Sequence, residues 1–232
     1  MYFRQQINQT DLRGFVIDKD NIDENLVKKV LFKSIVYRLI NKMETFIDFK
    51  GIPDENNFSQ FLNLLKKKKS QGVTIFTAAH QVMGYERLVK DSLVYSRKNI
   101  TKLASNVVSA ANKRSMRDCH DAIMKIPNVG PFFAWQILCD LLECKILGSN
   151  TDNQWVCLGP GAKDGLRRIF SLETPKDELK YTRILRDLCS KQSGFEVLDA
   201  EFPTFLHKPL SLKNIGKKHA LKKYDQFALN IS

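Results

Sequence analysis

The chain has 232 residues with 37 Lys and Arg against 25 Asp and Glu, a formal charge of +12, and 43% of it is hydrophobic. With 15 Phe, 6 Tyr and 2 Trp it has enough large apolar side chain for one substantial core or two modest lobes, which excludes a disordered tail. Only 11 Gly and 7 Pro are present, too few turn formers for an all-β sandwich or barrel, so an all-α fold is expected.

The N-terminus, Met1-Tyr-Phe-Arg-Gln-Gln6, lacks the basic, apolar and small-residue progression of a secretory signal, and no apolar run approaches the roughly 18 residues of a membrane span. A soluble intracellular protein with no membrane partner is expected, nuclear if eukaryotic and in the host cytoplasm if phage-encoded. From Asn25 to Phe49, Leu26, Val30, Leu31, Ile35, Leu39, Met43 and Phe46 recur at threes and fours. That period predicts one long helix, ending before Gly51-Ile-Pro53. A second helix is predicted over Phe58 to Lys69. Its tail Lys66-Lys-Lys-Lys69 suits the negative end of a helix dipole, as a solvated helix end or as a phosphate contact.

Residues 73 to 83 are short, apolar and partly β-branched; helix is favoured there, although periodicity alone does not separate it from a strand. Tyr85 to Ile123 reads as two or three helices carrying Arg97, Lys98, Lys102, Lys113, Arg114 and Arg117 among few acids, a candidate phosphate-facing surface. Thr174-Pro-Lys-Asp-Glu178 has a helix-start pattern for a helix to Gln192. The domain organisation expected is a helical domain over residues 1–205 and a basic tail over 206–232, which holds six lysines from Lys208 to Lys223.

Two segments carry chemistry. Ile123-Met-Lys-Ile-Pro-Asn-Val-Gly130-Pro-Phe-Phe-Ala-Trp-Gln-Ile-Leu-Cys-Asp140 reads as helix, hairpin, helix over about 116–142. Pro127 ends the first helix, Asn128-Val-Gly130 turns, and Pro131 takes the first position of the next, where its missing N–H costs nothing. Turn amides beside a helix N-terminus make an anion site, and Gly130 admits close approach of a partner's backbone; an ordinary αα-hairpin in a core is the plainer alternative. On the second helix Phe133, Ile137 and Leu141 form an apolar line, while Gln136 and Asp140 lie one turn apart on another face. They either hydrogen-bond within the core or line a pocket.

The other segment, Trp155 to Phe170, runs through Gly159-Pro-Gly161 into a helix with Lys163, Arg167 and Arg168, again offering glycine amides and cations to an anion. The +12 charge makes double-stranded DNA the leading partner, with anionic lipid and acidic protein also compatible with charge alone. Five cysteines without a C-x-x-C pair, and His80, His120, His207 and His219 without ligand spacing, suggest free thiols and no metal site.

The hairpin Ile123 to Ala134 resembles that of the helix-hairpin-helix DNA glycosylase fold. Pro131-Phe-Phe-Ala-Trp-Gln-Ile-Leu-Cys-Asp140-Leu and Gly159-Pro-Gly-Ala-Lys-Asp-Gly165-Leu are similar to the paired motifs of one offshoot, the α-glutamyl/putrescinyl thymine pyrophosphorylase family, whose helical domain also accompanies phage 5-hydroxymethyluracil DNA kinases. The segment around Val36-Tyr-Arg38-Leu looks like that family's early F/Y-R segment, so the resemblance covers about residues 25 to 200. It implies a two-lobed helical fold and a domain that modifies or binds a modified thymine in DNA.

Within that reading Asp140 and Gln136 are catalytic candidates. Lys125, Asn128, Val129, Gly130, Gly161, Lys163 and Arg167 are DNA-binding candidates, and Arg38, Phe132 and Trp135 are pocket candidates, with Arg38 equally readable as a snorkelling surface arginine. Base-flipping transferase chemistry on a hydroxymethyluracil-derived base, with an amine or amino acid as co-substrate, leads. A non-catalytic modified-base-binding module comes next, then a glycosylase, then a basic helical protein with a protein partner. The aspartate of base-excising relatives is replaced by Gly159-Pro-Gly161, with Asp152 and Asp164 only flanking the site, which disfavours base excision. The iron–sulfur cysteine loop of some relatives is absent, no other cofactor is implied, and without a G-x-x-x-x-G-K-[S/T] loop the chain is not itself the kinase partner.

Overall fold

Asp23 opens the first helix: its carboxylate accepts the backbone N–H of Asn25 (2.8 Å) and Leu26 (3.1 Å), donors that no helical carbonyl reaches. The helix that follows, α1, spans Glu24–Ile40. The computed structural model describes residues 7, 12, 21–76, 84–151, 154–170 and 180–184. Every regular element among them is helical, so the fold is all-α. They divide into two compact units between Gln154 and Trp155.

The first unit is built around α1, which buries Leu26, Val30, Leu31, Phe32, Ile35, Val36 and Leu39. Burial around most of its circumference makes it the central helix. Beside it run α2 (Met43–Phe49) and α3 (Phe58–Ser70), joined by aromatic contacts of Phe61 with Phe46 (centroids 6.0 Å apart) and Phe49 (5.0 Å). A π-helical segment, Arg87–Val94, runs straight into α4 (Tyr95–Asn112), followed by α5 (Met116–Ile123) and α6 (Pro131–Glu143). α1 packs on α4, α6 and the π segment, and α5 on α4 and α6. Each fully buried Leu or Ile in these seams contributes about 1.5–3 kcal/mol. The second unit contains α7 (Pro160–Phe170), which buries Leu166, and a helical turn at 180–184.

The structure corrects three sequence expectations. The single helix over Asn25 to Phe49 is two, because Asn41 adopts a left-handed conformation (φ 45°) and its N–H closes on the Tyr37 carbonyl at 2.8 Å. Asparagine tolerates that conformation, and the apolar period simply carries across the break. Residues 73–76 are not helical: Gly72 (φ 69°) ends the α3 turn, and Lys42 Nζ and Thr45 Oγ1 donate to the carbonyls of Thr74 (2.6 Å) and Ile75 (3.1 Å). Residues 77–83 lie outside the described residues. The run from Tyr85 to Asn112 is helical without interruption, but its first part is π-helical, which has no sequence period of its own.

Helices at Phe58–Ser70, Met116–Ile123 and Pro131–Glu143 agree with the sequence reading. Of the helix expected over Thr174 to Gln192 only 180–184 is described, and it is helical. The boundary near residue 205 and the basic tail lie outside the described residues, as do Asp152 and Cys189.

Candidate functional site

The connection from α5 to α6 is fastened on both sides. Ser92, buried in the π segment, donates its Oγ–H to the Pro127 carbonyl (2.8 Å) and accepts the Asn128 side-chain N–H (3.3 Å). His120, buried on α5, lies with Nε2 3.0 Å from the Pro131 carbonyl. A carbonyl only accepts, so that nitrogen carries the proton. Between these anchors Asn128 takes the left-handed conformation (φ 62°), and Gly130, extended at φ −82° and ψ 178°, caps α6 with Pro131 at its first position.

The turn amides are not all outward. Val129 is buried and donates its N–H to the Ile126 carbonyl (3.1 Å), which removes it from the anion-facing set. The N–H groups of Asn128, Gly130 and Phe132 make no hydrogen bond among the described residues. They stand at the N-terminal end of α6, where the helix dipole favours negative charge. A Cβ at Gly130 would meet nothing within 4 Å, so this approach is open. Lys125 and Asn128 are exposed, Phe132 is 39% exposed, and Met124 is exposed beside them. The result is a small face of free amides, one cation and two apolar side chains.

The other end of α6 is closed. Asp140 is only 2% exposed and both of its carboxylate oxygens are engaged. Arg38 donates from Nε to Oδ2 (2.8 Å) and from Nη2 to Oδ1 (2.5 Å), and Ser34 Oγ donates to Oδ2 (2.5 Å). Ser34 and Arg38 lie one turn apart on α1, so the trio bolts α1 to α6. Burial pushes the Asp140 carboxyl up from the usual carboxylate range, while the Arg38 guanidinium and the Ser34 hydroxyl pull it down. Burial lowers Arg38 and the facing Asp140 charge more than offsets this, leaving the guanidinium above its ordinary value. Such a bidentate, hydrogen-bonded pair holds two charges where one alone would be costly.

Of the other candidates, Gln136 is half-buried one turn before Asp140, and Trp135 is buried in the core. Arg38 is not a snorkelling surface residue; its side chain is 24% exposed and ends on Asp140. In the second unit Gly161 and Arg167 are exposed at the opposite ends of α7, Lys163 is half-buried, and Arg168 pairs with Asp164 at 3.0 Å. A Cβ at Gly161 would also meet nothing within 4 Å. The structure therefore brings together Arg38 with Asp140, and Asn128 with Gly130 and Lys125 on one connection.

Ser34, Ser92 and His120 were not among the sequence candidates. Ser34 and Arg38, four apart on an otherwise apolar helix, did carry a signal of a buried polar partner. Nothing in the sequence singled out Ser92 or His120. Among the described residues no cluster of His, Cys, Asp and Glu could hold a metal ion, and no helix is long and apolar enough to cross a membrane.

Residues 11–228 match the family described as 5-hmdU DNA kinase, helical domain, and the chain belongs to that family. No curated protein and no solved structure matches it. Membership ties the chain to the handling of a modified base in DNA.

Proposed function

We propose that this domain binds duplex DNA through the α5–α6 connection and holds a strand carrying a hydroxymethyluracil-derived base. The observation that carries the reading is the connection itself: free amides of Asn128 and Gly130 at a helix start, with Lys125 exposed beside them, fixed in place by Ser92 and His120. This geometry suits a backbone phosphate, which positions a protein on DNA without reading sequence. Gly161, Lys163 and Arg167 supply a second phosphate contact from α7. Asp140, closed off in its ion pair, acts as a positioning residue for α6 and does not touch the base.

The test is fluorescence anisotropy with duplexes bearing 5-hydroxymethyluracil or thymine, across a salt series. Binding that weakens steeply with salt and is reduced by Lys125→Ser supports the reading. Salt-insensitive binding, or none, sinks it.

Base-flipping transferase chemistry is the second reading, favoured by the modified base in the family's description and by half-buried Gln136 beside the bolted pair. A nucleoside digest analysed by mass spectrometry, after incubation with such DNA and a pool of amines and amino acids, decides it. A new nucleoside mass makes the chain an enzyme and names its co-substrate, whereas unchanged DNA leaves binding alone. Abasic sites would instead mark a glycosylase, for which Asp164 is a weak candidate because it is exposed and already paired with Arg168.

A further inference from the structure

A cleft of about 460 Å³ opens in the first unit between α1 and the connection from α2 to α3, away from the α5–α6 connection and from Asp140. Its volume falls within the roughly 300–1,000 Å³ usual for small-molecule sites. Phe32 and Ile52, both buried, supply an apolar wall, and Lys29, Lys33 and Lys50 converge on the opening. Lys29 and Lys33 stand one turn apart on α1, on a face roughly 140° around the helix from Ser34 and Arg38. Lys50 is presented by the left-handed residue (φ 64°) that ends α2.

The two carboxylates on the rim do not neutralise these cations. Asp54 Oδ1 accepts the backbone N–H of Asn56 (2.8 Å) and Asn57 (3.1 Å), closing its own loop. Glu55 is held by Lys28 (3.2 Å) and lies 3.6 Å from Arg97, neither of which lines the cleft. No ion pair among the described residues engages Lys29 or Lys50. Lys33 is only 7% exposed, so its ammonium sits at the cleft with little water around it. An anion there gains more than it would at an open surface, because the field of a partly desolvated charge is less screened.

We propose that this cleft binds a small phosphorylated molecule, its phosphate held by Lys29, Lys33 and Lys50 and its organic part against Phe32 and Ile52. The concave shape and the apolar wall favour a compact ester over a DNA strand, which would need a continuous basic groove. Isothermal titration of the full chain with adenosine monophosphate and, separately, inorganic phosphate tests this.

Saturable binding of at least one probe is expected, weakened about tenfold by Lys29→Ser and by Lys50→Ser. Both lysines are exposed, so these variants keep the fold, and unchanged circular dichroism checks that. Lys33→Met should lose more if it folds. Tighter binding of adenosine monophosphate than of phosphate identifies an organic ester as the ligand class, and equal binding identifies the free anion. The proposal is overturned by no saturable binding of either probe, by affinity unchanged in both serine variants, or by affinity lost equally in Lys125→Ser, which would move the anion to the α5–α6 connection.

Discussion

The two ends of α6 make opposite use of polar groups. At its start, Gly130 and Phe132 keep backbone donors free and Lys125 and Phe132 face outward, while at its far end Asp140 has spent both oxygens on Arg38 and Ser34. One end has unfilled capacity and the other has none. A helix that must present donors to a ligand at a fixed place has to be immobilised elsewhere, and a buried charge pair does this with directional bonds that apolar packing lacks.

The largest effect should come from breaking the closed end. Asp140→Ala leaves Arg38 as a buried unpaired charge and should cost about 3–5 kcal/mol in urea denaturation. The double variant Arg38→Met/Asp140→Leu removes both charges and should return most of that loss. A double variant as unstable as the single would mean that the pair does more than neutralise itself. DNA binding by the double variant then reports how far the bolt positions the open end.

A smaller effect is expected at the fastening of the open end. Ser92→Ala takes one bond from the Pro127 carbonyl and one from Asn128, and should cost about 1–3 kcal/mol while weakening DNA binding more than its distance from solvent would suggest. Stability lost with binding intact would detach the π segment from the site. Smaller still is Lys125→Ser, which should leave stability within about 0.5 kcal/mol and lower the salt slope of DNA binding by about one.

The smallest effect concerns Cys119, buried on α5 with its Sγ 3.5 Å from the Val107 carbonyl. Burial pushes this thiol up to about 12. A raised folded value means that the neutral thiol favours the folded chain, fully below the ordinary thiol value and progressively less as pH climbs towards 12. Stability should therefore fall by about 1 kcal/mol between pH 8 and 10 through this group, and Cys119→Ala should lack that slope in pH-dependent denaturation.

The start of α6 was legible because its chemistry is local. Proline at the first position, glycine as cap and asparagine in the turn are each dictated by their own backbone. Asp140 was legible as a polar residue needing a partner, but not which partner, since Arg38 lies 102 residues away and only packing of α1 against α6 joins them. The inward amide of Val129 was invisible for a related reason: a turn sequence names its residues but not which N–H each curl consumes. The break at Asn41 escaped because apolar spacing continued through it, and the family motifs spoke for a fold class without saying which charges are spent.

The π segment carries a consequence for how this chain tolerates change in length. Leu88 and Leu93, five apart and both buried, share a side only while the bonding runs to the fifth residue; in an α-helix they would point roughly 140° apart. Removing one residue between them would let the segment relax into ordinary α-helix and keep both leucines inside. Ser92 and everything after it would hold its place, and the shortening would be absorbed upstream, towards Tyr85. This stretch is thus a slack turn in the spool, where one residue can be wound in or let out without moving the Pro127 carbonyl from the hydroxyl that holds it.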